Sequence, residues 1–184
     1  TFAHEFGHFC NDYASYGSSV GTDVAEIFSQ GMEYLSLFYC EDTEMLTKIK
    51  MVDSLSVFVE QSAYAEFERR AYALKGDALT GENLTTLFGD VAIEFGFGDL
   101  GANKIFFTQI PHFYTNPMYV FSYVVSNDAA LQLYQLEQTE AGAGLTALEA
   151  NLATTETTFL AFLQSAELES PFADGRVKSI RVTF

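Results

Sequence analysis

Within its first eight residues the chain carries His4-Glu5-Phe6-Gly7-His8, and no other stretch restricts the fold as much. Two histidines four residues apart lie about 40° apart around a helix and one turn apart along it, so a helical segment lets both imidazoles share one metal ion. Glu5 falls beside that face. Its carboxylate can reach a water at the metal without being a ligand, the position of a general base. The spacing predicts a helix from Thr1 to about Tyr13.

A second helix must complete such a site. The Ser- and Gly-rich connection from Ala14 to Gly21 breaks the first helix, and Thr22 or Asp23 can cap a new one whose run from Val24 to Phe38 is apolar on nearly every side. Within it Glu26, Ser29, Gln30 and Glu33 form a polar stripe. Carboxylates in so apolar a helix are costly unless paired or metal-bound, which makes Glu26 the expected third ligand. The 17 residues between His8 and Glu26 are enough to close one helix, turn, and return an antiparallel one past the metal. Glu33 lies seven residues on, on the same face, where it is expected to accept a hydrogen bond from a ligand imidazole and fix its tautomer. The plainer alternative is a helix with two hydrogen-bonded core histidines and an exposed acidic stripe.

Helical spacing continues beyond Phe38. A start signal at Glu41-Asp42-Thr43 opens a long helix, with room for a kink, through Leu46, Ile49, Val52, Leu55, Phe58 and Val59 toward Tyr72. Its charges Glu66, Glu68, Arg69 and Arg70 read as a solvated face. Thr80, with Glu82 and Asn83, opens a helix from Leu84 to Phe95 that Gly96, Gly98 and Gly101 end, leaving 96–104 as a loop. Further helices are expected over Met118 to Val125, Asp128 to Glu140 and Leu145 to Gln164, with a short terminal helix or strand from Arg176 to Phe184. The fold class is therefore all-α, and 184 residues suit one core and a single domain.

The charge balance narrows the partners. With 25 acidic against 9 basic residues the net charge is −16, which repels nucleic acid and anionic membrane surfaces. No run of about 18 uncharged apolar residues and no signal-peptide pattern occurs, so a soluble, cytoplasmic protein is expected. Cys10 and Cys40 lack a paired metal-binding spacing and are expected to be reduced thiols, or a disulfide if their helices pack side by side. Mean hydropathy lies slightly above zero despite the charge. Such dense apolar surface suggests contact with another copy or with a further N-terminal segment.

Together the stretches Thr1-Phe2-Ala3-His4-Glu5-Phe6-Gly7-His8 and Asp23-Val24-Ala25-Glu26-Ile27-Phe28-Ser29-Gln30-Gly31-Met32-Glu33-Tyr34 resemble the oligoendopeptidase F and thimet oligopeptidase family of zinc metallopeptidases, in its C-terminal catalytic segment. Ile110-Pro111-His112-Phe113-Tyr114, with Pro117 to Tyr123, resembles a further stretch of that family. So does the ending from Leu168 to Phe172. The resemblance implies a gluzincin-type helical catalytic domain, with His4, His8 and Glu26 as ligands of Zn2+ and Glu5 as catalytic base. It also implies that His112, Tyr119 and Tyr123 donate hydrogen bonds to the oxyanion of the tetrahedral intermediate. Phe121 stands where the family often has a tyrosine, and the connection between the first two helices is shorter than in thimet oligopeptidase.

On this reading the chain is a zinc-dependent endopeptidase that hydrolyses short peptides. The alternative is a non-catalytic or incomplete zinc-binding helical fragment that needs a preceding segment for activity. For the chain by itself the expectation is therefore zinc uptake with weak or absent hydrolysis, and self-association through its apolar surface. Other gluzincins also place a glutamate about 18 to 20 residues after the motif, but the Glu26-to-Glu33 stripe and the His112 stretch speak against them.

Overall fold

The computed structural model describes residues 2–18 and 20–183, and among them ten α-helices and no strand. They gather into two compact units. The first runs up to Leu55 and resumes at Val125; the second is Ser56–Val124.

In the first unit, α1 (Phe2–Ala14) and α2 (Thr22–Ser36) form the most extensive helix pair. The core is built around α2, whose Val24, Ile27, Phe28, Tyr34 and Leu35 are essentially solvent-free. Each such side chain contributes about 1.5–3 kcal/mol by leaving water, so α2 is the element the unit condenses on. Phe28 packs edge-on against Phe162, with ring centroids 5.6 Å apart. Several polar groups inside pair with one another: Asn127 Nδ2 donates to Ser54 Oγ at 2.9 Å, Tyr34 Oη to Asn127 Oδ1 at 3.1 Å, and buried Arg176 grips Asp128 at 2.6 Å. The outer face of α1 is different, because Phe2, Phe6, Phe9 and Tyr13 stack ring on ring along it and all four are exposed.

Aromatic residues also make the core of the second unit. Phe67 of α4 (Ser62–Ala71) meets Phe88 of α5 (Gly81–Glu94) at 5.1 Å and Phe107 at 5.2 Å. As expected, Thr80 caps α5, its Oγ1 accepting the Asn83 N–H at 3.1 Å.

Several expectations need correction. The long helix from Thr43 is helical throughout to Ala71, but as α3 (Thr43–Ser56), a π-helical turn Val57–Gln61 and α4 in succession, the π turn marking one inserted residue. Residues Gly101–Gln109, placed partly in a loop, form a 3-10 helix. The short α6 (His112–Thr115) follows, and the two helices expected around Val125 to Asp128 are one, α7 (Tyr119–Thr139), since nothing between them breaks a helix. Leu145 to Gln164 is instead two helices, α8 (Ala143–Ala150) and α9 (Phe159–Ser165). Between them lies Thr154-Thr155-Glu156-Thr157-Thr158, where Thr154 Oγ1 accepts the Glu156 N–H at 3.2 Å. Threonine side chains that bond the local backbone compete with the helix ladder. The terminal segment is α10 (Arg176–Thr183); Phe184 lies outside the described residues, as does Thr1. Both cysteines are free thiols.

Candidate metal centre

The centre depends on how closely α1 approaches α2. A Cβ at Gly7 would stand 2.3 Å from Phe28 O and 2.6 Å from Ser29 Cα, so only a glycine lets the two backbones touch. The helices run antiparallel: His4 meets Glu33, while His8, one turn on, meets Glu26.

At the crossing, His4 Nε2 lies 3.5 Å and His8 Nε2 3.8 Å from Glu26 Oε2. The imidazoles stand nearly perpendicular, with centroids 5.0 Å apart. One donor atom from each of the three residues falls within 4.8 Å of the others. Two imidazole nitrogens and a carboxylate oxygen are the donor types zinc prefers, and bonds of about 2.0–2.1 Å in a tetrahedron put donors about 3.3 Å apart. This donor set fits the ion. Glu26 is 2 % exposed, and Ser29 Oγ donates to its Oε2 at 2.9 Å, which fixes the carboxylate rotamer.

Behind His4, Glu33 Oε1 sits 3.0 Å from Nδ1. A carboxylate there accepts the Nδ1 proton and leaves the Nε2 lone pair for the centre. Glu33 is held in turn by Lys50, whose Nζ donates to its Oε2 and, at 3.2 Å, to Asp53. Burial alone would raise the Glu33 pKa, but the hydrogen bond from His4 and the Lys50 charge outweigh it and hold it at about 2. The hydrogen bond to Glu33 raises the His4 pKa against the effect of burial, with the charges of Glu26, Glu33 and Glu5 adding to it. The site thus favours positive charge at this point. Glu5, on α1 beside the ligand face, is solvent-exposed.

His112, Tyr119 and Tyr123 belong to the second unit and meet there. The His112 ring stacks on Tyr119 at 4.4 Å and 12°, and Tyr123, one turn along α7, stands edge-on at 5.2 Å from Tyr119. All three are partly exposed.

Sequence reasoning missed three supporting residues. Gly7 lies inside the motif, but its reason appears only with α2 in place. Lys50 lies on another helix with no periodic signal linking it to Glu33. Glu68, read with a solvated face, is 2 % exposed, and its Oε1 accepts the Met118 N–H at 3.1 Å and the Tyr72 hydroxyl at 3.2 Å. Its signal was the i, i+4 series Tyr64, Glu68, Tyr72, which sets it apart from the surface pairs of Glu66 with Arg69 and Arg70.

No family model matches the chain, and no curated protein is recognisably similar to it in sequence. Solved structures do match in fold. One named as an oligoendopeptidase F aligns with a TM-score of 0.85 and 21 % identity over 99 % of this chain and 35 % of that one. Pz peptidase A with an inhibitor gives 0.85 and 20 % over the same shares, and an oligoendopeptidase F from Bacillus anthracis str. Ames gives 0.76 and 20 % over 99 % and 32 %. In fold, then, the chain matches a helical part of oligoendopeptidase F and Pz peptidase structures, spanning about a third of their length.

Proposed function

We propose that the chain carries the zinc centre of an endopeptidase that hydrolyses short peptides. The observation that carries this reading is the convergence of His4, His8 and Glu26 at a crossing that Gly7 makes possible, with Glu33 fixing the His4 tautomer. The likeness in fold to structures named as peptidases supports the substrate class.

When bound, a zinc ion would polarise the scissile carbonyl and make an attacking water easier to deprotonate. His4 and His8 would hold the ion through ring nitrogens and Glu26 through a carboxylate oxygen. Glu33 keeps the His4 proton on Nδ1 throughout. Glu5, exposed beside the ligands, accepts the proton of the attacking water and returns it to the leaving amine. His112, Tyr119 and Tyr123 would donate hydrogen bonds to the developing oxyanion, a role that rests on the family resemblance and on the grouping of the three rings. One such donor is typically worth about 2.7–4 kcal/mol of barrier.

Metal analysis of the purified chain, beside hydrolysis of an internally quenched peptide with and without chelator, tests the proposal. One zinc per chain is expected, with weak cleavage that the chelator abolishes. Glu5→Gln should keep the zinc and lose about 10²–10⁴-fold in turnover. Cleavage undiminished in that variant would remove Glu5 from the role, and a chain that takes up no zinc would end the reading.

A further inference from the structure

A buried carboxylate in the second unit has no part in the chemistry above, and its geometry shows what it does. Glu68 lies in α4 among Ala63, Ala65 and Phe67, with 2 % of its surface exposed. Its Oε2 is buried without a hydrogen-bond partner among the described residues. Burying that oxygen away from any protein donor costs stability, and burial accordingly raises the carboxyl's pKa. A residue held at such a cost is explained by its other oxygen, which accepts the Met118 N–H at 3.1 Å.

Met118 is strained in its own right. Its φ is +60°, the left-handed region that a side-chain-bearing residue enters at an energetic cost. It is also the residue on which the aromatic cluster turns. His112 O accepts the Asn116 N–H at 3.0 Å, Asn116 O accepts the Tyr119 N–H at 3.1 Å, and Met118 O accepts the Phe121 N–H at 3.1 Å, opening α7. The left-handed step at Met118 brings the chain from α6 into α7 so that Tyr119 stacks on the His112 ring. We infer that Glu68 is a positioning residue: by accepting the Met118 amide it holds the left-handed turn that sets His112, Tyr119 and Tyr123 against one another.

The catalytic meaning of this anchor rests on the oxyanion reading above, but the anchor itself can be tested without turnover. The chain has three histidines, so the imidazole region of a proton–carbon NMR spectrum holds three pairs of ring signals, those of His112 assigned through a His112→Gln variant. In the wild type the His112 signal should be shifted by the Tyr119 ring current. Glu68→Met, which keeps the bulk and removes the acceptor, should move it to the unstacked position and leave His4 and His8 unmoved. Glu68→Gln, which keeps a carbonyl acceptor, should retain the stack. The Met118 amide supplies a measurement that needs no variant. A hydrogen bond to an ionised carboxylate should slow its exchange by about ten- to a hundredfold against a free amide. An unprotected Met118 amide in the wild type, an unmoved His112 signal in Glu68→Met, or a stack lost equally in Glu68→Gln would overturn the inference. Turnover unaffected by His112→Gln would remove the oxyanion role alone and leave the anchor standing.

Discussion

The two units hold their polar chemistry by different means. In the first, His4, His8 and Glu26 project from long helices whose backbones touch at Gly7, and the support behind them, Glu33 with Lys50 and Ser29 with Glu26, is a network of charged groups. In the second, His112 and Tyr119 sit on either side of a turn, and one hydrogen bond to Met118 accompanies a strained φ. A centre on packed helices inherits its geometry from backbone registry, whereas a cluster on a turn depends on single contacts. Substitutions at the contact points should therefore behave oppositely in the two regions.

Gly7→Ala should produce the largest effect. A methyl at 2.3 Å from Phe28 O cannot be accommodated by side-chain motion, because the clashing atoms are backbone. Separating the helices should cost about 3 kcal/mol, the upper part of the usual range for overpacking, and weaken zinc binding along with stability. Thermal unfolding and a competitive zinc titration read both. A variant with wild-type stability and zinc affinity would mean that helix registry is not what builds the centre.

Glu33→Gln comes next. Loss of a supporting carboxylate behind a ligand histidine typically lowers metal affinity about 10–100-fold, and the same titration measures it. Lys50→Met should give a smaller loss in the same direction, since it acts on His4 only through Glu33. Were Lys50→Met the more damaging of the two, the order of support proposed for the first unit would be reversed.

How much of this was legible in the sequence follows the same division. Periods of four and seven residues placed His4, His8, Glu26 and Glu33 on facing helices, because side chains on one helix face announce themselves by spacing alone. Gly7 was visible as a letter but not as a contact, since its constraint comes from Phe28 and Ser29, about twenty positions away. Lys50 and Glu68 were hidden for a related reason. Their partners lie on other elements, and a charged residue reads as solvated until the packing around it is known. The break at 154–158 could have been read from five consecutive positions with no apolar residue, a run too long for an amphipathic helix to bury a face.

Met118→Gly carries the comparison into the second unit, with the opposite sign from Gly7→Ala. Glycine adopts φ near +60° without steric cost and keeps the amide that Glu68 binds, while the Met118 side chain is already 36 % exposed. Relief of strain and the extra unfolded-state entropy of glycine offset each other in part, so stability should hold or rise by up to about 1 kcal/mol. Urea denaturation reads the sign. A loss above that size would show that the methionine side chain, and not the left-handed backbone, matters at the turn.

The smallest effect belongs to the surface of α4. Hydrogen bonds from Arg69, with Arg70 adding to them, hold the Glu66 pKa at about 2, below its ordinary 4.5. A carboxyl whose folded pKa is depressed binds its proton more readily in the unfolded chain, so its stabilisation is complete above pH 4.5 and disappears as pH falls toward 2. Partly exposed pairs of this kind are screened by solvent, and Glu66→Gln should cost less than about 1 kcal/mol at neutral pH. The variant should also lose less stability than the wild type between pH 4.5 and pH 2, a difference that urea midpoints across that window measure. Equal losses in the two proteins would mean that these ion pairs contribute nothing to the second unit, leaving its aromatic core and the buried Glu68 contact to hold it.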